Sequence, residues 1–258
     1  ELGLVGSEMC IRDSFYYLPQ AVLGAIIMMA VFNLIDIRTA RFLWKSNRKD
    51  FLMMLATFFA TLSIGILEGI FIGVGLSVIM VIYQSTRPHY AVMGRLPDTN
   101  YYRNVRRFKE VKQIPNILIF RFDTHLYFAN VNFFKDTIKR LVRKNKIPVK
   151  LIIINAESIH SIDSTACHAI DELVNHYRRR DIQVYFTGVV GPVRDTMYRS
   201  GLFPKIGRKK FFMRVHDAVS HFENPQTVDD HSEARQTSVP AKLRLKRRKK
   251  KRGFSKKK

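Results

Sequence analysis

The stretch IHSIDSTACHAIDEL holds the side chains best placed to do chemistry. Asp163 follows a strand-like run and a loop and precedes a helical pattern. There a carboxylate caps the first unpaired backbone N–H groups of a helix. Ser164 and Thr165 then stand in the first helical turn. A phosphate on either hydroxyl would meet the positive end of the helix dipole. The three residues therefore read either as a phospho-acceptor loop or as a cap and nothing more. As a nucleophile the hydroxyl pair is poor, because no histidine is placed by local sequence to activate it and no GxSxG elbow is present.

His168, Glu172 and His176 recur at four-residue intervals on the same helix. One helix face is a poor cage for tetrahedral coordination, and the spacing is not HExxH. Ala169, Ile170, Leu173 and Tyr177 occupy the opposite face. The trio reads as a solvated surface, with no metal and no cofactor implied. Glu68, alone among apolar residues in SIGILEGIFIG, is the remaining candidate. An ionisable group at membrane depth is functional by default, whereas in a turn near the outer surface it is merely solvated. The turn is the favoured reading.

The elements that must position these groups have two textures. Residues 15–35 carry no charge, and a bilayer-spanning helix needs about 20 mostly apolar residues. RTARFLWKSNRKD follows as a short basic loop, with Arg38, Arg41, Lys45, Arg48 and Lys49 against Asp50. Residues 51–84 are again nearly uncharged and overshoot one crossing. Two spans, 51–67 and 69–84, meeting near residues 65–69, fit better. The basic loop and the region after Gln84 then share a side, and the positive-inside rule makes that side cytoplasmic. Gly65, Gly69, Gly73 and Ser77 recur every four residues, a small-residue stripe of the kind that packs helices in lipid.

After a linker over 85–115 the pattern changes. ILIFRFD reads as a strand, NFFKDTIKRLVRKN as a helix with Phe134, Ile138 and Leu141 on one face, and VKLIIINAE as a buried strand. A helix over 164–179, the strand IQVYFTGV and the helices GPVRDTMYRSGL and VHDAVSHFEN complete the run. Alternating strands and helices over 116–224 argue for an α/β layer with helices packed on a sheet.

Both ends stand apart. Residues 1–14, ELGLVGSEMCIRDS, have no structural period, and their reverse translation resembles a transposase sequencing adapter, so they are set aside from fold and function. Natural sequence is then entered in mid-gene. Cys10 goes with the adapter and leaves Cys167, which implies no internal disulfide and a reducing compartment. The formal net charge is +23, and residues 242–258 hold twelve basic groups and no acidic one. Such a tail, within a stretch 225–258 read as disordered, suits a solvated end or contact with anionic lipid headgroups. It lacks the interleaved aromatics of single-strand nucleic-acid binders.

The strand, IDSTA turn, helix and VYFTGV strand together resemble the STAS domain shared by anti-sigma-factor antagonists and sulfate permeases. LPQAVLGAIIMMAVFNLID, GILEGIFIGVG, TRPHYAVMGRLPDTNYYRNVRRF, RFDTHLYFAN and FTGVVGPVRDTMYRSGL are similar to the C-terminal portion of the SulP sulfate permease family, solute carrier family 26. The resemblance covers residues 15 to about 224. It implies secondary transport of sulfate-like anions by exchange or by proton or sodium symport, and a homodimer in a plasma or inner membrane with a cytoplasmic STAS domain. In that family the anion site lies in an earlier core domain. By this resemblance the present residues are gate-domain helices without substrate-binding groups.

In the stand-alone antagonists the motif is Asp-Ser-Ser-Gly and its second serine is phosphorylated. The matching position here is Thr165, with Ala166 in place of the glycine. The competing function is a membrane-tethered signalling module that binds a regulatory partner through the IDSTA surface and moves no solute. The long apolar segments favour the transporter, since packing stripes need neighbouring helices. An enzyme is not expected, for the sequence offers no nucleophile–base pair, metal set or phosphate-cradling glycine loop.

Overall fold

The structure, a computed structural model, describes residues 20–32 and 36–224. The adapter-like residues 1–14, the start of the first span and the basic tail lie outside the described residues. The chain divides into two compact units, Glu1–Met80 and Val81–Lys258.

In the first unit α1 (Gln20–Phe32) is apolar after its first residue. The stretch expected as a basic loop is instead mostly helix, α2 (Ile37–Ser46). Its basic residues Arg38, Arg41 and Lys45 fall on one face while Ile37, Ala40, Leu43 and Trp44 fall on the other, so charge density concealed an amphipathic helix. Asp36 caps it, accepting from the Thr39 N–H at 3.0 Å. Asn47 ends α2 in extended backbone and caps α3 (Arg48–Ser63), where it also donates to Asp50 at 2.7 Å. Trp44 and Phe51 pack edge to face across this joint, with centroids 5.0 Å apart.

The two-span expectation meets a break slightly earlier than residues 65–69. Helix α3 stops at Ser63, and α4 (Ile66–Thr86) starts after Gly65, whose φ of 151° suits glycine. The 21 residues of α4, with a mean hydropathy of 2.3, are long and apolar enough to cross a membrane.

The second unit holds a six-stranded sheet in the order β2-β1-β3-β4-β5-β6. The segment expected as a linker contributes two of its strands, β1 (Tyr90–Arg95) and β2 (Tyr102–Asn104). Strand β2 has only three residues and β1 carries Gly94 beside the turn-rich LPDTN, so neither shows a clean period. Strand β1 is antiparallel to β2 and to β3 (Ile117–Phe122). From β3 onward the pairing is parallel through β4 (Leu151–Asn155), β5 (Gln183–Thr187) and β6 (Phe211–Phe212). Parallel neighbours need crossovers, and helices supply them. Helix α5 (Val131–Lys144) links β3 to β4, α6 (Ser164–Arg178) links β4 to β5, and α7 (Gly191–Arg199) with α8 (Leu202–Ile206) lead to β6. Helix α9 (Val215–Glu223) follows.

Alternation along the strands builds two cores. Leu118, Phe120, Ile152, Ile154, Val184 and Phe186 pack on the buried faces of α5 to α8. Ile117, Ile119, Leu151, Ile153 and Tyr185 pack on Ala218 and Val219 of α9. Because both faces are covered, β4 is buried at every residue.

Candidate functional site

Asp163 is the best-connected of the predicted site residues. Its backbone is extended, and Oδ1 accepts the Ala166 N–H at 2.7 Å, a helix cap. Oδ2 accepts the Phe128 N–H, 35 residues away in sequence, at 2.9 Å. One carboxylate thus serves α6 and the loop after β3 together.

That loop, residues 125–130, forms a strap beside the segment leading into α6. Leu126 N–H donates to Ser161 O at 3.1 Å, and Asp163 N–H donates to Leu126 O at 3.3 Å. Asn130 is completely buried. It donates to His125 O at 2.9 Å and accepts the Tyr127 N–H at 3.0 Å, so it fixes the strap from beneath. The Tyr127 hydroxyl reaches Ser85 in the last turn of α4. Sequence reasoning missed Asn130, Tyr127, Phe128 and Ser85. The one available signal was an asparagine immediately before a helical pattern.

Ser164 and Thr165 are exposed in the first turn of α6, beside the exposed Phe128, His125 and His160. The two imidazoles lie 6.5 Å apart by ring centroid. Hydroxyls at a helix N-terminus with solvent access can receive a phosphate, whose charge the helix dipole favours. Cys167, one turn in, is buried, and burial pushes its thiol above the ordinary value despite a Ser200 hydrogen bond.

On the His168, Glu172 and His176 face, His168 and Glu172 are exposed. Glu172 pairs with Lys135 at 3.0 Å. Burial, then Arg180, Lys139 and Arg179, hold His176 below its usual value. Among the described residues no three His, Cys, Asp or Glu side chains gather as metal ligands.

The glycine stripe divides by position. A Cβ on Gly69 would stand 2.6 Å from Thr61 Cα, and one on Gly73 would stand 2.9 Å from Thr57 Cγ2, so α4 closes on α3 at these two glycines. Gly65 lies in the break, with the Glu68 carboxylate folded back toward it, and Ser77 is exposed. Glu68 is itself exposed in the first turn of α4.

A separate cleft of about 800 Å³ is bordered by Asn155 and Thr187, the last residues of β4 and β5, and by Tyr102, Arg214 and His216. The Thr187 and Tyr102 hydroxyls are buried there without hydrogen-bond partners.

Another His–carboxylate group lies where α4 gives way to β1. Asp123 takes Arg121 Nε at 2.6 Å and His89 Nδ1 at 2.7 Å. Burial raises this carboxyl, but hydrogen bonds from Arg121 and His89 outweigh it and leave the group below the ordinary carboxylate value.

An apolar helical unit joined to a mixed α/β sheet, with a capped hydroxyl pair at one helix N-terminus, defines a membrane-type segment carrying a STAS domain. Residues 108–218 match the STAS domain family, and residues 4–57 match the sulfate permease family. The chain is 38% identical over 222 residues to the chloroplastic sulfate transporter 4.1 of Arabidopsis thaliana, covering 83% of this chain and 32% of that protein. It is 33% identical over 226 residues to high affinity sulfate transporter 2 of Stylosanthes hamata, covering 84% and 34%. The murine solute carrier 26 family member A9 anion transporter, in an inward-facing state, superposes with a TM-score of 0.67 at 23% identity. That fit covers 80% of this chain and 34% of that one. The chain belongs to the SulP sulfate permease family, solute carrier family 26, and spans about one third of the length of the relatives it matches. Members of this family are integral membrane transporters with a cytoplasmic STAS domain.

Proposed function

We propose that this chain is the C-terminal part of a secondary active transporter for sulfate-like anions, with residues 163–165 as a regulatory loop. The observation that carries the reading is the alignment to plant sulfate transporters across most of the chain. The α3–α4 pair acts as scaffold, closed at Gly69 and Gly73. The α/β unit faces the cytoplasm, consistent with the basic face of α2. The anion site belongs to other parts of the transporter, the full protein is a homodimer, and the basic tail contacts anionic lipid.

The test is a chimera in which this chain replaces the corresponding third of the Arabidopsis transporter 4.1. Sulfate uptake at about the parent's level is expected. A chimera that reaches the membrane folded and carries no sulfate overturns the reading. In that chimera Thr165→Glu is expected to change uptake severalfold, while Thr165→Val leaves the unmodified protein active. If both variants transport like the parent and phosphopeptide mapping is silent, the regulatory role is lost.

A further inference from the structure

We infer that the strap of residues 125–130 is a mechanical link that carries the state of the α6 N-terminus to the last turn of α4. This inference rests on the regulatory reading of residues 163–165. Two contacts define the link. At one end Asp163 Oδ2 holds the Phe128 N–H at 2.9 Å. At the other the Tyr127 hydroxyl holds Ser85. Between them the strap has little freedom, because Leu126 is fully buried and Asn130 secures the turn by two side-chain bonds.

Asp163 makes this arrangement sensitive to charge. Its two oxygens point to different partners, Ala166 N–H and Phe128 N–H. A negative group on Thr165 repels the carboxylate and competes for the same helix N–H groups. The carboxylate plane cannot turn away from one partner and keep the other. Its bond to Phe128 is lost, the strap loosens, and Tyr127 shifts against Ser85. Ser85 and Thr86 are half-buried at the end of α4, so the helix terminus registers the shift. Contacts of this kind amount to coupling only if a change at one end alters the other.

Amide hydrogen exchange on the full chain in lipid nanodiscs tests this, with Thr165→Glu as the probe. The variant is expected to speed exchange of the Phe128 amide about tenfold, the order expected for losing a hydrogen bond to a charged group. The amides of residues 83–87 are expected to speed up severalfold. In a Tyr127→Phe background Thr165→Glu should still act on Phe128 and no longer act on residues 83–87. Asp163→Asn keeps a capping side chain without the charge, and there the response of Phe128 should shrink. An unmoved Phe128 amide overturns the inference, as does a response at 83–87 that survives loss of the Tyr127 hydroxyl. The charge here is introduced by substitution, so the link can fail while phosphorylation is found, and can hold while none is found.

Discussion

At the scale of single residues, satisfaction of polar groups separates positions under constraint from positions in deficit. Asp163 uses both carboxylate oxygens and ties α6 to a loop 35 residues away, while the buried Asn130 uses its amide oxygen and nitrogen within its own turn. Thr187 is the contrary case. It is 1% exposed at the end of β5, and its hydroxyl has no hydrogen-bond partner. A buried hydroxyl left unpaired costs about 1–3 kcal/mol, while an apolar group of the same shape costs nothing of that kind. Thr187→Val is therefore expected to raise the unfolding free energy of the α/β unit by roughly 1 kcal/mol in urea titration. A loss of stability would mean that the hydroxyl is paired, by water or by a ligand, in the cleft. The sequence made Asp163 legible as a cap because ID-S-T-A has the local signature of one. Its bond to Phe128 was not legible, since nothing local to either residue announces a partner 35 positions away.

Elements were legible in proportion to how uniform their surroundings are. Strands β3, β4 and β5 are central and covered on both faces, so they appear as continuous apolar runs. Helices α5 and α6 show a 3.6-residue period because each buries one face. Strand β2 was hidden by having three residues, β1 by its Gly94 and the turn that follows it, and α2 by its charge. The small-residue stripe predicted helix packing, and the structure adds which glycines touch. Gly69 meets Thr61 backbone, whereas Gly75, on the same helix, has nothing within 4 Å of its would-be Cβ. Gly69→Leu is expected to destabilise the α3–α4 pair by about 1–3 kcal/mol through overpacking, and Gly75→Leu to be tolerated. Midpoints of thermal loss of the monodisperse protein in detergent decide between them. Equal midpoints would show that the close approach at Gly69 does not hold the helices together.

For the whole molecule, the division into two units makes a thermodynamic claim, because each rests on a different solvent. The α/β unit owes its stability to two aqueous hydrophobic cores, one on each face of the sheet. The helical unit exposes most of its large apolar side chains, among them Met29, Phe32, Leu62 and Phe71, and such surfaces are stable only against lipid. Denaturant should therefore act unequally. The chain's single tryptophan, Trp44, lies in α2 of the first unit and reports on that unit alone. Far-ultraviolet dichroism reports on both. In nanodiscs, urea is expected to unfold the α/β unit in one cooperative step while Trp44 emission stays near its native value. Transitions that differ between probes signal more than two states. Coincident transitions would instead mean that the two units lose their structure together and that neither is separately stable.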